Sequence, residues 1–427
     1  MSGLAIYMLR MGFEVAGSDL TANAQTARVE KEGGRIFIGH SAANIEGAEA
    51  VIVNSAIASD NPELCAARGK GIPIYSRAEL LGMVAGSFEN TIGIAGCHGK
   101  TTATAMCAHV LEECSGSCSA HIGGEDAEYY NLYLGGEKYF VTEACEYKGN
   151  FLMLRPNVAV VLNTDSDHLD CYRDADALAE AYRMYVKRAQ AAILCGEDKI
   201  AKEVEAALTF GLTSYCDVGA ENIRSNGGRY IFNVRIRNAI FERVRLNVFG
   251  RHNIYNALAA IAVAEYYGYP TALSVSGLQK FHGIRRRFEL LGECNGARFI
   301  ADYAHHPKEI AAVLATAREV SAGRLFVVFQ PHTYSRTRML FEDFLKVLLP
   351  LENLVIYKTY AAREFFDAQG SALTLSESLP NSLYMDSLRQ MKMYLHCTLH
   401  AGDTVLFLGA GDIYFIAKRL LAEDKGI

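Results

Sequence analysis

The sequence lacks three features that would assign it to a class at once: long apolar runs, an excess of positive charge and paired cysteines. No apolar run is long enough to span a bilayer, and the first one is broken by Arg10 and Glu14, so we expect neither membrane insertion nor a secretory leader. The net charge of −6 and the pI near 6.1 make nucleic acid an unexpected partner.

The eleven cysteines show no zinc-finger spacing, since Cys114 and Cys118 lack a second Cys/His pair. Free thiols in a reducing cytosol are the simpler interpretation, and we therefore expect a cytoplasmic protein. A chain of 427 residues that is half hydrophobic predicts two to four domains with substantial cores.

The strongest positive signal lies in residues 90–113. Thr91–Ala95 is typical of a short buried strand, and Ala103–Glu112 is typical of a helix. Such a strand, a glycine turn and a helix that opens on Lys-Thr form a cradle for nucleotide phosphates. The residues between strand and helix are Gly96, Cys97, His98, Gly99, Lys100, Thr101 and Thr102.

In such a cradle, backbone N–H groups and the positive helix end surround phosphate oxygens. Lys100 would reach the β- and γ-phosphates, and the Thr101 hydroxyl would ligate Mg²⁺. Ile94 stands where the strict G-x-x-x-x-G-K-[ST] spacing has its first glycine, so an ordinary strand–helix turn is the alternative.

The chain as a whole predicts an α/β fold with three domains. Residues 1–89 look Rossmann-like but begin with a helix, so we expect the first strand and glycine loop of this domain to be absent. Residues 90–286 predict a P-loop-type ATPase with a mostly parallel sheet, because strands such as 158–163 are continuous apolar runs. Residues 287–427 repeat the alternation of strands and helices, which predicts a second Rossmann-like domain.

Polar residues follow the strands of the middle domain, at the edge where α/β proteins bind ligands. Glu143 closes one strand, and Asp165-Ser166-Asp167-His168 follows another. Mg²⁺ takes few protein ligands and shares the rest with phosphates and water. We expect Thr101 and Glu143 to bind one Mg²⁺ ion and His168 to bind a second. The alternative for Glu143 is a salt bridge at the strand end, and the alternative for His168 is a histidine that is hydrogen-bonded within its turn.

Further polar segments come later in the chain. Asn253 and Asn256 lie three apart at a helix start, which suits an adenine edge or simple capping. One guanidinium of residues 285–287 would offset charge on a phosphoryl group, unless the segment is a solvated linker. The turns 302–307 and 330–338 are rich in imidazole and guanidinium groups, and Arg336 could hold a carboxylate. The turn 409–411 favours a tight strand–helix connection over a second nucleotide site.

Taken together, these motifs resemble the Mur ligases. The segments G-C-H-G-K-T-T, N-T-D-S-D-H-L-D, G-R-H-N-I-Y-N-A-L-A-A, R-R-F-E, D-Y-A-H-H-P-K-E-I and Q-P-H-T-Y-S-R-T occur in that family's order over nearly the whole chain. The resemblance implies domains for a UDP-substrate, for ATP and for an amino acid. It implies that ATP, with two Mg²⁺ ions, phosphorylates the carboxylate of UDP-N-acetylmuramate and that L-alanine attacks the acyl phosphate, in peptidoglycan precursor synthesis. Monomer and homodimer both stay open.

The resemblance also assigns roles to residues. It places Lys100, Thr101, Glu143 and His168 on phosphates and Mg²⁺, and Asn253, Asn256, Arg287 and Asp302 on ATP, with Asp302 on the ribose. It places Tyr303, His305, His332 and Arg336 at the amino acid and the reacting centre, and Ser18, Asp19 and Ser55 in the UDP-sugar turns. The expected catalytic groups are Lys100, His168, Arg287, His305 and Arg336.

Three departures from the family pattern matter. Only Met1–Ala5 remains of the N-terminal glycine-loop region. Residues 143–148 are E-A-C-E-Y-K where many relatives have E-A-D-E-S-D, so the charge beside Glu143 changes. Thr333 stands where some relatives carry Arg, so recognition of a carboxylate depends more on Arg336.

Two other functions compete with alanine ligation. A sister ligase would add a preformed peptide to the same sugar. A catalytically inactive UDP-sugar- or ATP-binding protein is the alternative outside the enzymes. The intact Lys100, Thr101, Glu143 and His168 argue against that loss of chemistry, whereas the missing start argues for it.

Overall fold

The structure is a computed structural model that describes residues 1–164 and 172–424. The chain divides into two compact units. The first unit contains Met1–Glu221, Asn233–Val244 and Tyr255–Phe281, and the second contains Asn222–Phe232, Arg245–Ile254 and the chain from His282 onward. No helix in the described part of the chain is long and apolar enough to cross a bilayer.

The N-terminal part of the first unit contains two separate pairs of parallel strands, β1–β2 and β3–β4. In a doubly wound sheet a further strand lies between such pairs, and residues 1–89 contain none there. The elements are α1 Ser2–Arg10, β1 Ala16–Asp19, α2 Ala24–Lys31, β2 Arg35–Ile38, β3 Val51–Val53, α3 Pro62–Lys70, β4 Ile74–Ser76 and α4 Arg77–Ala85.

Two local features of this region follow from its sequence pattern. Ser76 and Glu79 form a capping box at the start of α4, with each side chain bonded to the other residue's backbone N–H. The apolar run of β3 predicts a buried strand, but β3 is only half-buried. Its ladder to β4 covers one edge, and no strand of the described residues pairs with its other edge.

The next sheet along the chain has ten strands in the described residues, in the order β14-β13-β12-β11-β10-β9-β5-β8-β6-β7. The elements are β5 Asn90–Ala95, α5 Lys100–Ser115, β6 Cys118–Asp126, β7 Tyr130–Leu134, β8 Tyr139–Glu143, β9 Val158–Val161, α6 Ala175–Val186, β10 Ala191–Cys195, β11 Leu208–Gly211, β12 Val218–Asn226, β13 Arg229–Ile236, β14 Ala239–Phe249, α7 His252–Tyr266 and α8 Thr271–Lys280.

The centre of this sheet sets the position of the candidate site. Strand β5 pairs in parallel with β8 on one side and with β9 on the other. The carboxyl ends of the three strands therefore meet at one edge, where the glycine turn, Glu143 and Asn163 emerge. Below that edge a continuous core joins α1 to the sheet through Leu4, Phe140 and Tyr185, which are all buried.

The second unit is a six-stranded sheet, within the described residues, of order β15-β16-β20-β17-β18-β19. Every pairing in it is parallel except β15–β16. The elements are β15 Glu289–Cys294, β16 Ala297–Asp302, α9 Pro307–Val320, β17 Leu325–Phe329, α10 Tyr334–Met339, α11 Phe341–Leu348, β18 Asn353–Tyr357, α12 Ala372–Glu377, β19 Ser382–Met385, α13 Leu388–Thr398, β20 Thr404–Leu408 and α14 Ile413–Asp424.

Two apolar layers cover this second sheet. One contains buried side chains of α9, α11 and α12, and the other contains those of α13 and α14. Because β16, β20 and β17 are neighbours, the turns 302–307, 409–411 and 330–338 lie at the same edge. The structure thus has the predicted α/β class with mostly parallel sheets, whereas the domain boundaries at 89/90 and 286/287 stay a prediction.

Candidate functional site

The glycine turn after β5 has a backbone that only glycine adopts easily at two positions. Gly96 has φ +139° and Gly99 has φ +85°. Asn163, which follows β9, fixes the turn: its Oδ1 accepts the His98 N–H at 3.0 Å, and its Nδ2 donates to the His98 carbonyl at 3.0 Å. The spacing of the motif did not identify Asn163, although an amide at a strand end is a recognisable signal.

Helix α5 starts at Lys100 with no side-chain hydrogen bond at its N-cap. The N–H groups of its first turn therefore have no capping side chain, and the helix dipole favours an anion there. Thr101 and Thr102 lie in this turn and are half-buried. Asn256 contributes from α7, because a Cβ on Gly99 would come within 2.7 Å of its Oδ1. The structure thus places Asn256 against the candidate phosphate loop.

The Lys100 side chain folds back over the loop that precedes it. Its Nζ donates to the carbonyls of Gly96 and Cys97 and to Glu146 Oε1, the last at 2.9 Å. The Lys100 side chain is 13% exposed and that of Glu146 is 0% exposed. Burial lowers the pKa of the ammonium, but the charge and hydrogen bond of Glu146, together with the nearby Cys145 and Glu143, outweigh burial, so the pKa of Lys100 lies above its ordinary value.

Glu143 is oriented by a backbone group of the adjacent strand β6. Its Oε1 accepts the Gly123 N–H at 2.7 Å. A side chain at Gly123 would collide with the carboxylate, since a Cβ there would lie 2.6 Å from Oε2 and 2.7 Å from Cδ. The absence of a side chain at Gly123 therefore lets Glu143 lie along the edge of the sheet.

The donors at this edge fit Mg²⁺ in chemical type. Thr101 offers a hydroxyl and Glu143 a carboxylate, and Mg²⁺ is usually held by one or two such groups with phosphates and water. Residues 1–164 and 172–424 contain no cluster of three or more His, Cys, Asp or Glu able to hold a metal alone. His168, the expected ligand of a second ion, lies outside the described residues.

Asn253 is occupied in part by its own turn. Its Nδ2 donates to the Phe249 carbonyl at 2.7 Å, just before α7 begins. This contact is not a helix cap, because a cap requires the side-chain oxygen to accept a backbone N–H, and it uses one of the two amide protons. A role for Asn253 at adenine stays a prediction.

In the second unit, Arg286 and Arg287 have different surroundings. Arg286 donates to the Gly411 carbonyl at 2.8 Å and lies over the rings of Tyr303 and Tyr414. It thereby fastens the 409–411 turn, which connects β20 to α14 as a tight turn. Arg287 lies 5.3 Å from the Tyr303 ring centre and is half-buried.

Asp302 is a buried carboxylate that holds two backbone groups. Oδ2 accepts the Phe288 N–H and Oδ1 accepts the Ala304 N–H, each at 2.7 Å. Burial raises the pKa of Asp302 to about 6, although Arg287 and both hydrogen bonds act in the opposite direction. The visible role of Asp302 is to fix the turn, and its contact with a ribose stays a prediction.

The residues that were predicted to face the amino-acid substrate lie together in one cluster, which also contains Tyr360. We call it the histidine cluster, and its members are Tyr303, His305, His332, Arg336 and Tyr360. The rings of His305 and His332 are 5.7 Å apart, and that of Tyr303 is 5.5 Å from His305. Tyr360 stacks on His332 at 5.5 Å, and Arg336 Nη1 lies 3.3 Å from His332 Nδ1.

Hydrogen bonding assigns the ring protons of the two histidines. A guanidinium only donates, so His332 Nδ1 accepts from Arg336 and the proton of a neutral ring is on Nε2. The Tyr303 carbonyl only accepts, so His305 donates from Nδ1, at 3.0 Å, and keeps a lone pair on Nε2. Burial lowers the pKa of both imidazoles, that of His332 to about 4, so both rings are neutral near pH 7.

Thr333 and its neighbours show how this cluster is held. Thr333 has φ +55°, a conformation that a β-branched residue rarely adopts. Its N–H donates to the Tyr360 carbonyl at 3.4 Å, and Glu364 accepts the Ser335 N–H at 2.9 Å. The segment after β18 therefore clamps the turn that carries His332 and Arg336. Tyr360 and Glu364 had no sequence signal, because their contacts join distant parts of the chain.

The residues predicted to bind the UDP-sugar have no hydrogen-bond partner in common among the contacts described below. Ser18 on β1 donates to Glu63 Oε2 at 2.7 Å and lies 3.0 Å from His40 Nδ1. Asp19 accepts the Thr21 N–H at 3.3 Å, and Ser55 is exposed in the turn after β3. His40 and Glu63 were missed by sequence reasoning, since neither belongs to a recognisable motif.

Three family models match successive parts of the chain. The model described as "Mur ligase family, catalytic domain" matches residues 1–89, and "Mur ligase middle domain" matches residues 94–264. The model described as "Mur ligase, glutamate ligase domain" matches residues 286–411.

Full-length relatives and solved structures agree with these matches. A UDP-N-acetylmuramate–L-alanine ligase of Alkaliphilus metalliredigens is 37% identical over 99% of this chain and 95% of its own. The enzyme of the same name from Acetivibrio thermocellus is 38% identical over 100% and 94%. The crystal structure of a UDP-N-acetylmuramate–alanine ligase from Thermotoga maritima has a TM-score of 0.86 at 28% identity and covers 100% and 96% of the two chains.

Proposed function

The chain belongs to the Mur ligase family, and we propose that it joins L-alanine to the carboxylate of UDP-N-acetylmuramate while ATP is cleaved to ADP and phosphate. The observation that carries this proposal is the 37% identity to an enzyme of that name over 99% of the chain. The phosphate loop and the histidine cluster support it, because a catalytically inactive protein would not need both sets of residues.

ATP binding is assigned to the loop between β5 and α5. Backbone N–H groups of the first turn of α5 and the helix dipole stabilise the phosphates, and Lys100 reaches the β- and γ-phosphates. Thr101 and Glu143 would hold Mg²⁺, and His168 would hold a second ion. The bound ions would supply positive charge beside the triphosphate and the attacking carboxylate. Asn256 lies beside the loop on the side of Gly99.

The reaction needs an activated carboxylate, since a carboxylate itself is a poor electrophile. A carboxylate oxygen of the sugar substrate attacks the γ-phosphorus, the bond to the β–γ bridging oxygen breaks, and ADP leaves. The amine of L-alanine then attacks the acyl phosphate carbon. The tetrahedral intermediate expels inorganic phosphate and leaves an amide. Exclusion of water protects the acyl phosphate from hydrolysis.

The histidine cluster suits the amino-acid half of the reaction. The amine must lose a proton to attack, and His305 offers an Nε2 lone pair on a neutral ring. His332 presents an N–H donor at Nε2, which suits an anionic oxygen. Arg336 supplies a guanidinium for the alanine carboxylate, since Thr333 carries no charge.

The same proposal includes a cytoplasmic location, which the free thiols of the described cysteines support. UDP-N-acetylmuramate, L-alanine and ATP are the proposed small-molecule partners, and either a monomer or a homodimer is compatible with them. Through cell-wall synthesis the product would serve cell shape and division.

A phosphate-release assay tests the proposal. We expect release from ATP that requires both UDP-N-acetylmuramate and L-alanine. Release that requires a preformed tripeptide instead of L-alanine would identify the sister ligase. The absence of turnover with either amine, in protein that binds UDP-N-acetylmuramate, would indicate the inactive binding protein.

A further inference from the structure

The hydrogen-bonding capacity of the Lys100 ammonium is fully used inside the protein. The ammonium has three protons, and its three acceptors are the Gly96 carbonyl, the Cys97 carbonyl and Glu146 Oε1. A phosphate oxygen that binds Lys100 must therefore replace or share one of these acceptors. Glu146 is the charged member of the three, so it competes most strongly with an anionic ligand.

Hydrogen bonds to its backbone hold Glu146 in place. It lies in the turn after β8, where its carbonyl accepts the Gly149 N–H at 2.8 Å and the Tyr172 hydroxyl. Lys148 and Gly149, with φ of +51° and +70°, reverse the chain just beyond it. This turn fixes the carboxylate beside the start of α5, because β8 is the neighbour of β5.

A buried ion pair of this kind contributes little net stability, since removing both charges from water offsets most of their attraction. In some proteins such a pair selects one arrangement over another.

We propose that Glu146 is a positioning residue for Lys100, which it holds beside the phosphate loop and yields to the phosphates when ATP binds. This inference rests on the proposed ATP binding and adds a competition between protein carboxylate and ligand phosphate. The phosphates of ATP bind a Lys100 ammonium that is already oriented. Breaking the contact between Lys100 and Glu146 costs free energy and therefore weakens ATP binding.

The test is the affinity of Glu146→Gln for Mg²⁺ with a non-hydrolysable ATP analogue, measured by calorimetry. The amide keeps the shape and an acceptor oxygen but removes the charge. A hydrogen bond to a charged group exceeds a neutral one by enough to predict a Kd about tenfold lower than in the wild-type protein. The Kd for AMP, which lacks the phosphates that Lys100 reaches, should not change.

A double-mutant cycle separates an action through Lys100 from general repulsion between carboxylate and phosphates. In a Lys100→Gln background, Glu146→Gln should no longer tighten binding. Asp126→Asn is the matched control in the same unit, since Asp126 is also buried and paired with a cation-forming side chain, His109, at 3.3 Å. We expect it to leave the Kd unchanged.

Two results would overturn the inference: an unchanged or higher Kd in Glu146→Gln, or equal tightening with and without Lys100. If Glu146→Gln does not fold, Glu146→Asp, which withdraws the charge by one methylene, must lower the Kd by a smaller factor, and no change there has the same meaning. Failure of the wild-type protein to bind the ATP analogue would instead contradict the proposed function itself.

Discussion

Gly123 offers a sharp test of the proposed Mg²⁺ site, because its lack of a side chain sets the position of Glu143. In Gly123→Ala the new Cβ would stand 2.6 Å from Oε2, whereas ordinary contact begins near 3.4 Å. The carboxylate must therefore retreat by roughly 1 Å and stretch its hydrogen bond to the residue 123 N–H. Losing an outer contact of a metal ligand typically reduces metal affinity by about 10–100-fold, or about 1.4–2.7 kcal/mol.

The assay is a Mg²⁺ titration of ATP-dependent phosphate release, with a parallel titration of ATP-analogue binding. We expect the half-saturating Mg²⁺ concentration of Gly123→Ala to rise by about 10–100-fold. Because Gly123 is exposed, thermal unfolding should change little. The control is Gly69→Ala in α3, where a Cβ would meet nothing within 4 Å. A Mg²⁺ dependence equal to that of the wild-type protein would refute the assignment of Glu143 as a ligand oriented by Gly123.

Three further predictions concern single side chains. Lys100→Ala should reduce alanine-dependent phosphate release by about 10²–10³-fold, since it removes the charge on the γ-phosphate; near-normal turnover would contradict this. Asp302→Ala should destabilise the second unit by about 2–6 kcal/mol in urea unfolding, because the Phe288 and Ala304 N–H groups lose their buried acceptor; a shift below 1 kcal/mol would argue against that role. His332 has a folded pKa of about 4, below the unfolded value near 6.5, so the unfolded chain binds the extra proton between them. As pH falls from 6.5 to 4, the wild-type protein should lose stability relative to His332→Asn in thermal unfolding, and a constant difference would contradict this.

The sequence predicted those parts of the fold that local patterns determine. The run 91–102 identified a strand, a glycine turn and a helix start, and all three are present at β5 and α5. The alternation of strands and helices predicted after residue 287 is likewise present, with strands β16, β17, β18 and β20 separated by helices. Both follow from hydrophobic periodicity and turn residues, which act over a few positions.

Contacts between distant segments could not be read in the same way. Asn163 fixes the phosphate loop from 65 residues away, and Glu146 pairs with Lys100 across 46. Gly123 approaches Glu143 because β6 and β8 are neighbours, which no local spacing reveals. The same reason explains β3, where apolar composition indicated a buried strand: it pairs only with β4 among the described residues, and it is half-buried.

The most direct measurement of the central claim follows one oxygen atom. UDP-N-acetylmuramate labelled with ¹⁸O in its carboxylate is incubated with the protein, Mg²⁺, ATP and L-alanine, and the released phosphate is examined by mass spectrometry. Our account predicts one ¹⁸O atom in each phosphate formed with the amide, because the acyl phosphate transfers a carboxylate oxygen to phosphorus. Amide formation accompanied by unlabelled phosphate would contradict it.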